Sequence, residues 1–306
     1  MTFRRGATLP VVTSFGYAES CDLGPTAGNG FYKRWPDDLA LLADSGVEDL
    51  RLTFDWARLQ PKPGEFSGAW VERYENMLDA ADAVGIRVWA TLYDSGVPKW
   101  FANEGGIDDD EALGSWWPRW TERMADTFGD RVGGWIPFAT ISGSMPDSVW
   151  TTTWNVLGGG EPPVASSLQA IDGFGFGGRR DGEFDVFGVA LDTLLDQHEP
   201  VEPQALDEAA ERWATALRDA STAADGQPLM ISRFTPHHVD PDVGGKMVER
   251  IVTVVDDAID DGMDVIAVLL EPAIAGPESP IALFDSDRAP QPAAEVFLVA
   301  PDDDDA

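Results

Sequence analysis

Short, almost uniformly apolar runs rich in β-branched and aromatic residues alternate along this chain with amphipathic helical segments, and that alternation admits few folds. Seven runs read as strands: "TLPVVTSF" (8–15), "VEDLRLTFDW" (47–56), "IRVWATLYD" (86–94), "GGWIPFAT" (133–140), "FDVFGVAL" (184–191), "PLMISRF" (228–234) and "MDVIAVLL" (263–270). They are apolar nearly throughout, the pattern of strands covered on both faces. Between them, "RWPDDLALLADSG" places Leu39, Leu41 and Leu42 on one side and stops at Gly46. "AWVERYENMLDAADAVG", "ALDEAAERWATALRDAS" and "GGKMVERIVTVVDDAIDDG" keep the same 3.6-residue rhythm. Strands separated by helices need crossover connections, which gives a parallel sheet. Residues 141–182 interrupt the pattern with Gly, Pro, Ser and Thr. There "SVWTTTWNVL" reads as a strand or an extended loop, and "ASSLQAIDGFGF" as a short helix and strand. If the sheet closes into a barrel, its remaining strand hides in this stretch.

With 306 residues, 43% of them hydrophobic, the chain can build one large α/β core, and no linker or composition shift suggests a second domain. The expectation is a single domain over 1–306 whose last residues, 301–306, form a solvated acidic tail. The 54 acidic residues against 21 basic ones, a net charge of −33, repel phosphate backbones and anionic lipid, so neither nucleic acid nor a membrane is an expected partner. Cys21 is the only cysteine, which excludes an intramolecular disulfide. The N-terminal "MTFRRGATLPVVTSFGY" has a short apolar stretch interrupted by Pro10, a poor signal peptide, and no segment approaches the roughly 20 apolar residues of a membrane helix. A cytoplasmic location is the expectation.

Laid end to end, these segments resemble glycoside hydrolase family 1, the β-glucosidase family. Residues 31–106 follow its stretch from first helix to third strand. "FGDRVGGWIPFAT" resembles the approach to its Thr-Phe-Asn-Glu-Pro motif, "QPLMISRFTP" its Ile-Thr-Glu-Asn-Gly segment, and "AIDDGMDVIAVLL" the run into its last strand. The resemblance implies a TIM-type (β/α)8 barrel, incomplete or shortened around strand five. It also implies β-glycoside hydrolysis with retention, by two carboxylates about 5–5.5 Å apart. Both carboxylate positions differ here. The acid/base glutamate falls on Thr140 and the nucleophile on Arg233. A Thr hydroxyl is no general acid near neutrality, and Arg is no nucleophile. The family's first-strand Gln corresponds to Tyr17, its third-strand His to Asp94, and Glu271 falls near its last-strand Trp. Arg51 is kept; in the family that Arg supports the nucleophile, so its carboxylate partner is missing.

Barrel sites sit at the C-terminal ends of strands. The rim should therefore display Tyr17, Glu19, Arg51, Asp55, Trp56, Asp94, Thr140, Ser142, Arg233 and Glu271. Of these, Tyr17, Arg51, Asp55, Trp56, Asp94, Thr140 and Arg233 are candidate substrate contacts. Asp94, Glu271 and Glu19 are candidate relocated catalytic carboxylates. Arg51 and Arg233 suit an anionic ligand, or else pair with Asp94, Asp55 or Glu271 and fill the pocket. The expected partner is a carbohydrate or an anionic small molecule, with no cofactor. "PHHVDPD" (236–242) is not expected to hold a metal, since adjacent histidines on extended chain rarely reach one ion. "GFGFGG" (173–178) has no preceding strand and no P-loop lysine, and reads as a flexible loop. Most of the twelve Trp, including Trp116, Trp117 and Trp120, read as packing residues, with Trp56 and Trp154 as pocket walls. Three functions stay open: a carbohydrate-binding pseudoenzyme or repurposed enzyme without conventional β-glucosidase activity, an active glycosidase with relocated carboxylates, and a structural or partner-binding barrel with a filled pocket.

Overall fold

The computed structural model describes residues 2–139, 147–171, 175–176, 183–192, 195–277 and 279–298. Its sheet contains β1 (Arg4–Leu9), β2 (Asp49–Thr53), β3 (Arg87–Thr91), β4 (Gly134–Trp135), β5 (Leu168–Ile171), β6 (Gly175–Phe176), β7 (Phe187–Asp192), β8 (Leu229–Thr235) and β9 (Val265–Leu270). The order is β4-β3-β2-β1-β9-β8-β7-β5-β6. All pairings are parallel except β5 with β6. The open ends of this order meet just before β5. The Trp135 N–H donates to the Pro163 carbonyl at 2.8 Å, and the Ala165 N–H donates to the Trp135 carbonyl at 2.7 Å. Ala165 then bridges to Val186 at the start of β7. The fifth barrel strand is therefore present, and the ring closes through a short seam.

Around the ring lie α1 (Phe31–Asp44), α2 (Trp56–Leu59), α3 (Gly68–Ala83), α4 (Lys99–Asn103), α5 (Asp110–Phe128), α6 (Asp147–Leu157), α7 (Pro203–Ala224), α8 (Pro241–Asp260) and α9 (Pro292–Phe297). Among the described residues no helix separates β5 from β7; the β5–β6 hairpin stands there instead. The result is an incomplete (β/α)8 barrel, shortened after strand five. None of the described helices is long and apolar enough to cross a membrane.

Three segments differ from their expected form. Residues 8–15 are not one strand, because Pro10 has no N–H to continue the ladder; β1 ends at Leu9 and Val11–Phe15 make one wide helical turn. "SVWTTTWNVL" is the body of α6, packed on α5 through Trp117, whose indole N–H donates to Thr153 Oγ1 at 2.7 Å. Within "GFGFGG", Gly175–Phe176 pair with Ala170–Ile171 and are not loop, and "ASSLQAI" holds no helix.

Alternation along each strand sorts the core into two sets. Outward residues such as Leu50, Leu52, Val88, Phe187, Ile231 and Phe234 meet the helices in the larger cluster. Inward residues Trp89, Ile136, Ala165, Val186, Met230, Ala267 and Leu269 fill the barrel. Trp89 is large enough to need a glycine opposite: a Cβ on Gly134 would lie 2.3 Å from its ring. Beneath this layer Asp49, wholly buried, accepts from Arg4 Nε at 2.7 Å, Arg87 Nε at 2.8 Å and the Trp89 indole at 3.0 Å.

Candidate active site

Three alternate residues of β2 climb the inside of the barrel: Asp49 at the bottom, Arg51 in the middle, Thr53 at the mouth. Arg51 is 1% exposed. Its guanidinium donates to the carbonyls of Ser232 at 3.1 Å and Ala139 at 3.3 Å, and forms an ion pair with Glu271 Oε2. The Thr8 hydroxyl donates to the same Glu271 oxygen at 3.0 Å. Ser167 Oγ donates to the Ala139 carbonyl at 2.7 Å and lies 2.8 Å from Ser232 Oγ. One buried cation thus ties β2, β8, β9 and the end of strand four together under the mouth.

Asp94 completes the group. Its Oδ2 accepts the Val11 N–H at 3.0 Å and lies 3.5 Å from Thr53 Oγ1. Burial pushes its carboxyl above the usual aspartate range, and the charge of Glu271 pushes it further; Arg51, the Val11 N–H and Arg233 pull the other way. The two carboxyls are thereby distinguished by surroundings: one inclined to hold a proton, the other held by a guanidinium. That is the division an acid and a carboxylate nucleophile require.

The raised Asp94 sets a sign for stability. Native protein holds a proton there that the unfolded chain has already lost, so stability falls as pH climbs from the ordinary aspartate range through the raised value. Asp94→Asn keeps an acceptor for the Val11 N–H and should flatten that fall. Melting temperatures of both proteins between pH 4 and 8 check this; parallel curves would refute it.

Of the expected rim residues, Arg51, Asp94 and Glu271 come together. Arg233 meets none of its expected partners Asp94, Asp55 or Glu271. Its Nη2 donates to both oxygens of Asp192, at 2.9 and 3.2 Å, at the end of β7, and Gln169 Nε2 donates to Asp192 at 2.9 Å. A register shift in β8 between Ile231 and Phe234 turns Arg233 toward β7. Asp55 is occupied as the cap of α2, ion-paired with Arg58 and accepting its N–H at 3.2 Å. Trp56 is no pocket wall: it is 3% exposed, stacks on Trp120 at 5.2 Å, and its indole donates to Gln60 at 2.8 Å. Trp154 belongs to α6, against Gly158. Trp117 and Trp120 are buried in α5, as packing residues should be.

Tyr17 is half-buried and its hydroxyl donates to Ser95 Oγ at 2.9 Å, over the loop after β3. Glu19 is exposed and stands apart from the Arg51 cluster, with its carbonyl accepting from Lys99 at 2.6 Å. Thr140 and Ser142 lie outside the described residues. His238 is spent on structure: one ring nitrogen lies 3.1 Å from the Glu199 carbonyl and the other accepts the Asp240 N–H at 2.9 Å.

Thr8, Thr53, Ser167 and Asp192 were not among the expected site residues. Asp192 was within reach of the sequence, since the inward alternation 188, 190, 192 points to it one residue past the run that marked the strand.

The comparisons with known proteins fall on this geometry. Residues 22–155 match glycosyl hydrolase family 1. The matched segment carries Arg51 and Asp94; Thr8, Arg233 and Glu271 lie outside it. The chain is 31% identical over 108 residues to β-glucosidase 34 of Oryza sativa subsp. japonica, covering 35% of this chain and 21% of that protein. It is 28% identical over 146 residues to a β-glucosidase of Agrobacterium sp., covering 46% and 30% respectively. The chain thus spans less than a third of either curated relative. Solved structures align over nearly all of it. β-Glucosidase 1317 has a TM-score of 0.78 at 19% identity, covering 97% of both chains. A β-glycosidase from Pyrococcus horikoshii has 0.75 at 17%, covering 96% of this chain and 92% of the other. A match to the family 1 model over residues 22–155 and a barrel fold shared along nearly the whole chain therefore coincide.

Proposed function

We propose that this barrel is a carbohydrate-active member of family 1 that cleaves a glycosidic bond with Asp94 and Glu271 in place of the family's two glutamates. The supporting observation is the partner that Arg51 has found. The resemblance assigns this arginine to support of the nucleophile, and here the carboxylate on it is Glu271. In the proposed reaction a Glu271 oxygen attacks the anomeric carbon while the bond to the leaving oxygen breaks. Asp94 delivers its proton to that oxygen. Water then displaces Glu271, giving its proton back to Asp94.

The Arg233–Asp192 pair favours a second reading, a barrel that binds sugars without cleaving them, because it occupies the position onto which the family's nucleophile falls. A panel of aryl glycosides and free sugars, read for both turnover and thermal shift, separates the two. Turnover supports the first; a thermal shift without turnover supports the second. Conventional β-glucosidase rates are not expected in either case.

A further inference from the structure

We infer that Thr8 is a positioning residue that fixes which oxygen of Glu271 reacts; the inference rests on the reading of Glu271 as the reacting carboxylate. Thr8 is fully buried on β1, and its hydroxyl reaches Glu271 Oε2 at 3.0 Å across the β1–β9 pair. Arg51 donates to that same oxygen. Among the described residues no donor reaches Oε1. Two donors on one oxygen orient the carboxylate and leave the other oxygen for a ligand in the mouth. The Thr8 carbonyl also accepts the Ala273 N–H at 2.8 Å, so the backbone on both sides of Glu271 is registered against β1.

The test compares Thr8→Val, which keeps the shape and loses the hydroxyl, with Thr8→Ser, which keeps the hydroxyl. Two readouts are taken on the folded proteins: kcat/KM for aryl glycoside hydrolysis, and the orientation of the Glu271 carboxylate in a crystal structure of each variant. Thr8→Val should lower kcat/KM by about ten- to a hundredfold. The Glu271 carboxylate should also leave its native orientation. Thr8→Ser should restore both. An unchanged Glu271 orientation in Thr8→Val, or a loss of activity that Thr8→Ser does not repair, overturns the assignment. The structures need no turnover, so a wild-type protein that hydrolyses nothing refutes the glycosidase reading and still decides what Thr8 does to Glu271.

Discussion

Glu271→Gln should cut hydrolysis by on the order of 10³-fold or more, because in the proposed reaction an amide cannot replace the attacking carboxylate. The fold should survive the change. The Gln carbonyl still accepts from Thr8 and Arg51, which hold Glu271 in the native protein. Removing one member of a buried ion pair ordinarily costs about 3–5 kcal/mol, since the other charge is stranded. Here Arg51 has a second carboxyl nearby. With the Glu271 charge gone, one of the influences raising Asp94 disappears and the pull of Arg51 remains, so Asp94 ionises more readily and takes over as counter-charge. The stability loss should therefore fall below that range. Circular dichroism and a melting curve alongside the rate measurement distinguish a lost nucleophile from a lost fold.

The largest stability effect is expected at the other end of the barrel. Asp49→Ala should destabilise by about 3 kcal/mol, a fall in melting temperature of roughly 6–12 °C at the scale of larger domains. The Asp49 carboxylate gathers Arg4, Arg87 and the Trp89 indole, and its side chain is wholly buried. The two arginines are 37% and 31% exposed and can turn to solvent. The Trp89 N–H cannot, and truncation leaves it unsatisfied beside a new cavity. Glycoside turnover by the surviving folded protein should be unchanged, because Asp49 touches neither Asp94 nor Glu271. A denaturation midpoint equal to that of the wild type would show that the Asp49 cluster contributes nothing.

What the sequence made legible follows from which signal each element carried. Strands such as β3 and β9 are covered by helices outside and side chains inside, so they read as continuous apolar runs. The fifth strand escaped because its inward positions are Ala165, Ser167 and Gln169, and "EPPVASSLQA" has no apolar run to find. The hairpin in place of a following helix carries no 3.6-residue rhythm either. Pro10, visible throughout, marked the true end of β1 and was outweighed by the apolar residues on both sides of it.

The grouping of residues at the mouth was legible where it depends on position along a strand. Arg51 points inward from the middle of β2, Asp94 and Glu271 follow the ends of β3 and β9, and the three come together under the mouth. What sequence could not supply was partner choice across the barrel. Arg233 was assigned to three carboxylates and chose a fourth, because an irregularity in the β8 ladder, set by tertiary pairing, decides which neighbour it faces. Trp56 was misplaced for a related reason. A Trp at a strand end reads equally as sugar platform or core, and only the Trp100, Phe101, Trp117 and Trp120 rings around it decide for the core.

The claim that Asp94 and Glu271 perform the chemistry is tested most directly by leaving-group dependence in Asp94→Asn. A dinitrophenyl glycoside departs without a proton, whereas an alkyl glycoside needs one from a general acid. Asp94→Asn should lose roughly 10²- to 10⁴-fold in kcat/KM on the alkyl glycoside and little in kcat/KM on the dinitrophenyl glycoside, while wild-type protein hydrolyses both. Equal losses on the two substrates, or wild-type protein that cleaves neither, would contradict it.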